Sequence, residues 1–215
     1  MNEFSSAPGP TENARPYHHG SLRAALLTAT VDFIRQHGLE NLSIREIAKQ
    51  LGVSPAAPFR HFASRSALLT AVAEEAILLL RKSYEAQIAA CDSDNPLVHF
   101  MALGHGYLIW ATSHPTHFLV LNSRNLIDVG GSALLKQENA HLQNLMAGLL
   151  HQAEAQGLLP PEARPRDLIL GGRALVYGLA RMVTDGHMRG VPEETLLPML
   201  EAAMRAYVSR VQRSA

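Results

Sequence analysis

The stretch from residue 42 to residue 62, LSIREIAKQLGVSPAAPFRHF, constrains the fold most tightly, because it specifies two short helices joined by a tight turn. Ile44, Ile47, Ala48 and Leu51 recur at three- and four-residue spacing and gather on one side of a helix, while Arg45, Glu46, Lys49 and Gln50 take the other. Gly52 follows and can adopt the positive φ that ends a helix. Val53 plugs the turn, and Ser54 offers a side-chain oxygen to the free amides of the next helix. Ala48 is small where two helices must cross closely, as a helix-turn-helix unit requires. The polar outer face suits a DNA groove.

The flanks agree. Leu22, Ala25, Leu26, Ala29, Phe33 and Ile34 predict a supporting helix from Ser21 that Gly38 closes. Ser43 before Ile44, with Glu46 three residues on, has the pattern of a capping box. Ser64 caps a long helix that runs toward Ala90, with Leu68, Leu69, Val72, Ala76, Leu79 and Leu80 on its apolar side. The chain as a whole is neutral, which alone argues against a nucleic-acid binder. Its charges are unevenly spread, however. Between residues 15 and 65 seven Arg and Lys face three acidic residues, so a basic module precedes an acidic remainder.

On these residues the chain resembles the tetracycline-repressor (TetR) family of transcription regulators. IREIAKQLGVS, then FRHF, then Ala63, Ser64 and Arg65 follow the family signature in order and spacing, over roughly residues 17 to 75. The resemblance implies an all-α protein in two parts. An N-terminal three-helix helix-turn-helix DNA-binding domain (17–66) follows a Pro- and Ser-rich tail (1–16). A C-terminal helical ligand-binding and dimerisation domain (67–215) follows it. It implies a double-stranded palindromic operator and a small-molecule effector as partners. The arm Tyr17-His18-His19-Gly20 resembles the stretch with which family members begin their first helix, near DNA phosphates.

The residues expected at DNA follow from position and chemistry. Ser43 stands at a helix start suited to a phosphate, and Arg45 projects from the first turn. In the second helix of the motif Ser54 is the cap and Pro55 sits at the first helical position, where proline is tolerated. Pro58, at the fourth, forfeits only one bond, leaving a short, stiff recognition helix. Ala56 and Ala57 can touch thymine methyls, and Arg60 is the one long cation there. Phe59 stands where relatives usually have Tyr and cannot donate to a phosphate. His61 and Phe62 fix the helix end against the core, His61 being also a candidate at the DNA face. Arg65, unfavourable by itself at a helix N-terminus, is expected to meet a phosphate.

Past the polar break CDSDNP the chain reads as helices only: 97–114, 116–124, 132–156, 166–187 and 193–213. Candidate effector-binding residues are Met101, His105, Tyr107, Trp110, Phe118, Asn122, Arg173 and Tyr177, apolar walls with a few polar handles. A plain core explains the aromatic members equally well. Arg173 is the sharpest, since it interrupts a stretch apolar to Ala180, and a buried Arg needs a partner. The segment from Arg173 to Gly178 resembles distantly a regulatory domain named for a Trp, a His and a Gly, with Arg173 and Tyr177 in place of the Trp and the His. The last two helices carry apolar residues, among them Leu168, Met182, Leu200, Met204 and Val208, suited to a two-fold dimer.

Catalytic and metal signatures are missing. Eleven histidines include no HExxH and no Cys/His zinc spacing, and there is neither a nucleophile elbow nor a phosphate loop nor a dinucleotide fingerprint. Asp92, Asp94 and Asn95 lack the glycine and terminal Glu of a calcium loop. No cofactor or metal and no enzymatic activity is expected. A single cysteine, Cys91, and no apolar run of about 18 residues predict a reducing, cytoplasmic setting away from membranes. The reading is a dimeric, ligand-responsive DNA-binding repressor. The alternative is a small-molecule-binding or interaction protein that keeps the helix-turn-helix as a structural domain.

Overall fold

The structure, a computed structural model, describes residues 19–211; the tail 1–16 and Tyr17-His18 of the arm lie outside the described residues. Among these residues every regular element is helical: α1 (His19–His37), α2 (Ile44–Gln50), a 3-10 turn (Pro58–Arg60), α3 (Arg65–Ala89), α4 (Pro96–Ser113), α5 (Pro115–Asn122), α6 (Ala133–Ala155), α7 (Pro165–Thr184) and α8 (Glu193–Val211).

Local chemistry sets the helix ends. Ser43 Oγ accepts from Glu46 N–H, Ser64 Oγ from Ala67 N–H and Ser132 Oγ from Leu135 N–H, while Asn95 Oδ1 caps α4 ahead of Pro96. At the end of α2, Gly52 takes φ +66°. It lets Val53 N–H reach back to Ala48 C=O and Gly52 N–H to Lys49 C=O, the six-to-one and five-to-two pair of a Schellman turn.

The three N-terminal elements close on Leu26, Phe33, Ile34, Ile47, Phe62 and Leu68, all buried. This cluster is continuous through α3 with the core of the second half. α3, about 37 Å long at 1.5 Å per residue, therefore belongs to both halves. It crosses α4 closely because position 106 is glycine, where a methyl group would run into the backbone of Tyr84; Ser83 Oγ donates to Gly106 C=O there. Polar ties join α3 to the α5–α6 loop and α6: Thr70 Oγ1 accepts from Asp128 N–H, Ser132 Oγ donates to Glu74, and the 4% exposed Glu138 pairs with Arg81 at 3.1 Å. A smaller cluster of Leu97, Leu150, Ala153, Leu159 and Leu168 seals the far end.

The apolar residues expected to mediate dimerisation divide. Leu168, Leu200, Met204 and Val208 are buried in the chain's own core, because α8 packs back on α4 and α7. The exposed apolar residues of the last two helices are instead Leu170, Tyr177, Met182 and Met199.

Candidate DNA-binding element and effector cavity

The surface expected to face DNA is built by α2, the turn after it and the segment 54–62. Arg45, Ser54, Pro55, Ala56, Phe59 and Arg60 are exposed, whereas Ser43, Ala57 and His61 are half-buried. Pro58 points inward and is buried, and Phe59 is 50% exposed. The expected α-helical recognition segment is corrected to a turn followed by one 3-10 turn. Ala57 N–H bonds Ser54 C=O, Arg60 N–H bonds Ala57 C=O and His61 N–H bonds Pro58 C=O, all three residues back. Only Phe62 N–H makes the four-residue bond, to Pro58 C=O. Pro55 and Pro58 supply no amides, and Pro58 removes the one that would have started α-type winding on Ser54. Ser54 accepts at its carbonyl rather than capping with its side chain.

Arg65, expected to meet a phosphate, also makes a contact within the chain. Its Nη2 donates to Leu39 C=O at 2.6 Å and, more weakly, to Glu40 C=O at 3.5 Å. The guanidinium is thereby drawn back onto the α1–α2 loop, holding α3 against it. Arg23, passed over in the sequence, lies with its guanidinium 5.4 Å above the Phe62 ring. Such a contact spans about forty residues and leaves no local signal.

A cavity of about 410 Å³ lies between α3, α4, α5, α6, α7 and α8. Met101, Tyr107, Asn122, Arg173 and Tyr177 line it, five of the eight expected effector residues. The other three do not. Trp110 and Phe118 are fully buried and stack edge-on in a core cluster with Tyr107 behind the wall. His105 faces α8, its Nε2 2.7 Å from Glu201 Oε1. Arg173 lines the mouth but is exposed, so the expectation of a buried Arg is corrected: α7 turns that side outward. Tyr84 and Asn139 are lining residues the sequence reading missed, since each lies one turn from core residues with nothing to set it apart. Burial pushes the Tyr84 and Tyr107 hydroxyls up to about 12, and both stay protonated donors at neutral pH.

At the α4–α5 corner, His114 and His117 meet edge-on with ring centroids 5.8 Å apart, and Glu75 Oε2 is 3.9 Å from His117 Nε2. Burial lowers the His117 pKa, partly opposed by Glu75. Among the described residues no group of three or more His, Cys, Asp or Glu could hold a metal ion. No helix among them is long and apolar enough to cross a membrane.

A helical body joined by one shared helix to a helix-turn-helix head is the architecture of a DNA-binding transcriptional regulator. Residues 26–72 match the model of the bacterial regulatory proteins of the tetR family, and residues 100–207 match the tetracyclin repressor-like C-terminal domain. The chain belongs to the TetR family of transcriptional regulators. An uncharacterised HTH-type transcriptional regulator of Mycobacterium tuberculosis is 27% identical over 191 residues, 85% of this chain and 92% of the relative. A solved protein of unknown function from Rhodococcus sp. RHA1 superposes with a TM-score of 0.74 at 27% identity, over 93% of this chain and all of that one. AibR, solved in complex with isovaleryl coenzyme A and operator DNA, shares the fold, with a TM-score of 0.67 at 17% identity over 84% of this chain and 96% of that one.

Proposed function

We propose that the protein is a cytoplasmic, dimeric repressor whose helix-turn-helix head (17–66) holds a palindromic operator and whose helical body (67–215) releases it when a small molecule binds. The observation that carries this reading is the cavity, because α3 supplies Ile77, Leu80 and Tyr84 to its wall and also packs against the head. A ligand that favours one placement of α3 shifts the placement of the head. AibR's complex with an acyl coenzyme A and operator DNA supports the plan, since the fold is shared.

In this reading Pro55, Ala56, Ala57, Phe59 and Arg60 face the major groove, with Ser43, Arg45, Ser54 and His61 beside them on backbone or base edges. Arg65 acts on DNA through the loop it holds. The exposed Met182 on α7 and Met199 on α8 offer apolar contacts to a second copy, Leu170 and Tyr177 being on the cavity side. Pairing there would set two heads about 34 Å or somewhat more apart, one turn of DNA.

The second reading, a ligand-binding or interaction protein with a vestigial head, is favoured by one observation: the recognition segment is a 3-10 turn carrying Phe59 without a hydroxyl. A gel-shift against DNA flanking the coding region separates the two. Specific, salt-sensitive retention lost in the Arg45, Arg60 double alanine variant is expected of the repressor. Indifference to sequence supports the vestigial head.

A further inference from the structure

Depth sorts the lining of the cavity. Its charged members, Arg124 and Arg173, are exposed, as are Leu170, Ala174 and Tyr177 around Arg173 on α7, so the charges stand on the solvent side. Of the buried lining residues, from Ile77 on α3 to Val208 on α8, every one but Tyr84 is aliphatic or a methionine. Among the described residues the Tyr84 hydroxyl is therefore the one polar side-chain group of the buried wall.

Tyr84 is 2% exposed, and its hydroxyl makes no hydrogen bond among the described residues. The polar side-chain atoms that are unpaired and fully sealed belong to Arg65, Trp110, His114 and His117; the Tyr84 oxygen is unpaired too, yet it reaches open space. Its backbone is clamped from behind, because a methyl group at Gly106 would run into it and Ser83 Oγ donates to Gly106 C=O at 2.8 Å. Asn139 joins Tyr84 at the seam between α3 and α6. The two helices run the same way there, since Thr70 meets Asp128, Glu74 meets Ser132 and Arg81 meets Glu138 in that order. Tyr84 lies three residues past Arg81 and Asn139 directly follows Glu138, so both reach the cavity at about the same level. Asn139 Nδ2 donates to Leu135 C=O at 2.7 Å, which fixes the sense of the amide and leaves its oxygen as an acceptor.

We propose that the cavity takes an uncharged, largely apolar alcohol that enters hydroxyl first, its oxygen accepting from the Tyr84 hydroxyl and its proton donated to Asn139 Oδ1. The inference rests on reading the cavity as an effector site. An alcohol hydroxyl gives one hydrogen bond and takes another, matching a donor and an acceptor that otherwise go unanswered, whereas a ketone answers Tyr84 alone. Burial holds the Tyr84 hydroxyl up at about 12, so it is a neutral donor at physiological pH. A carboxylate or an ammonium group at that depth would shed its water with no opposite charge in the buried wall to meet it. An acid seated the other way round, with its head among the exposed arginines, would be indifferent to Tyr84.

The test uses the full chain and four probes of equal carbon count: octan-1-ol, octan-2-one, octanoate and octylamine. Calorimetry should show octan-1-ol bound about fivefold or more tightly than each of the other three. Tyr84→Phe should weaken octan-1-ol by a similar factor and leave octanoate unchanged. Because the hydroxyl it removes has no partner in the empty protein, the variant should melt no lower than the parent when unliganded. Asn139→Leu should bring octan-1-ol down to the level of octan-2-one. The proposal is overturned if any other probe equals octan-1-ol, if none of the four binds, or if either variant keeps the full preference for octan-1-ol. A lower melting temperature for unliganded Tyr84→Phe also overturns it, since the hydroxyl would then serve the fold. Release of a DNA fragment selected by the protein from a random library is scored separately. Release by octanoate or octylamine alone would keep the effector reading and remove the alcohol, whereas octan-1-ol bound through Tyr84 without release would do the reverse.

Discussion

Arg60 and Arg65, five residues apart, carry the same charge to different ends. Arg65 donates to Leu39 C=O from a half-buried position, so Arg65→Ala should lower unfolding free energy by about 1.5–3 kcal/mol, the range for hydrogen bonds to charged groups. Urea denaturation measures it, and the salt slope of DNA binding should change little. Arg60 is exposed and has no partner among the described residues. Arg60→Ala should leave stability within about 0.5 kcal/mol and cost about 1–3 kcal/mol in operator affinity, read by titration against specific and scrambled DNA. The two roles were not separable in the sequence. Arg65 reads as a phosphate contact because it sits in the first turn of a helix, and the carbonyl that takes it up lies 26 residues earlier across a folded turn. Arg173 was misplaced for a related reason: apolar neighbours along the chain suggested burial, but α7 is amphipathic and turns residues 173, 174 and 177 outward.

The elements themselves were largely legible, because their ends are written in local chemistry. Ser43, Ser64 and Ser132 stand at helix starts as their hydroxyls require, and Gly52 ends α2. The recognition segment was less so: two prolines within four residues shift its hydrogen bonds from four-back to three-back, and the balance between these windings is too fine for residue pattern alone. The α3–α4 crossing at Gly106 depends on a partner more than twenty residues away and was likewise invisible. The α4–α5 corner carries its own prediction. His117 has a folded pKa below its unfolded value of 6.5, because burial favours the neutral ring. Stability should be level above about pH 6.5 and fall as pH drops beneath it, since the unfolded chain then binds the proton more readily. Thermal unfolding across pH 5 to 8 should show that slope, reduced in His117→Gln.

At the scale of the molecule, the head and body share one continuous core through α3. Thermal unfolding of the isolated chain should therefore be a single transition rather than two, checked by agreement of calorimetric and van't Hoff enthalpies. The exposed Met182 and Met199 of α7 and α8 predict a dimer at micromolar concentration in sedimentation. Met182→Glu with Met199→Glu should shift it to monomer while leaving helicity unchanged. Fold class and the binding head could be read from sequence because a helix-turn-helix is nearly contiguous. The cavity could be read only in part, since six helices converge to enclose it and the residues that end up behind its wall share the periodicity of those that face it.

Trp110 gives this architecture an optical readout. It is the chain's one tryptophan, 1% exposed, with its indole N–H unpaired among the described residues and its ring centroid 5.5 Å from that of Tyr107. Light absorbed by indole in this protein is absorbed at a single buried site, one ring removed from the cavity. Its emission should be blue-shifted in the folded state and should change when a guest presses on Tyr107, without any attached dye. Whatever a small molecule does in the body can then be watched directly, while a second signal carried by labelled DNA reports the head, and the order of the two events in time becomes a measurable quantity.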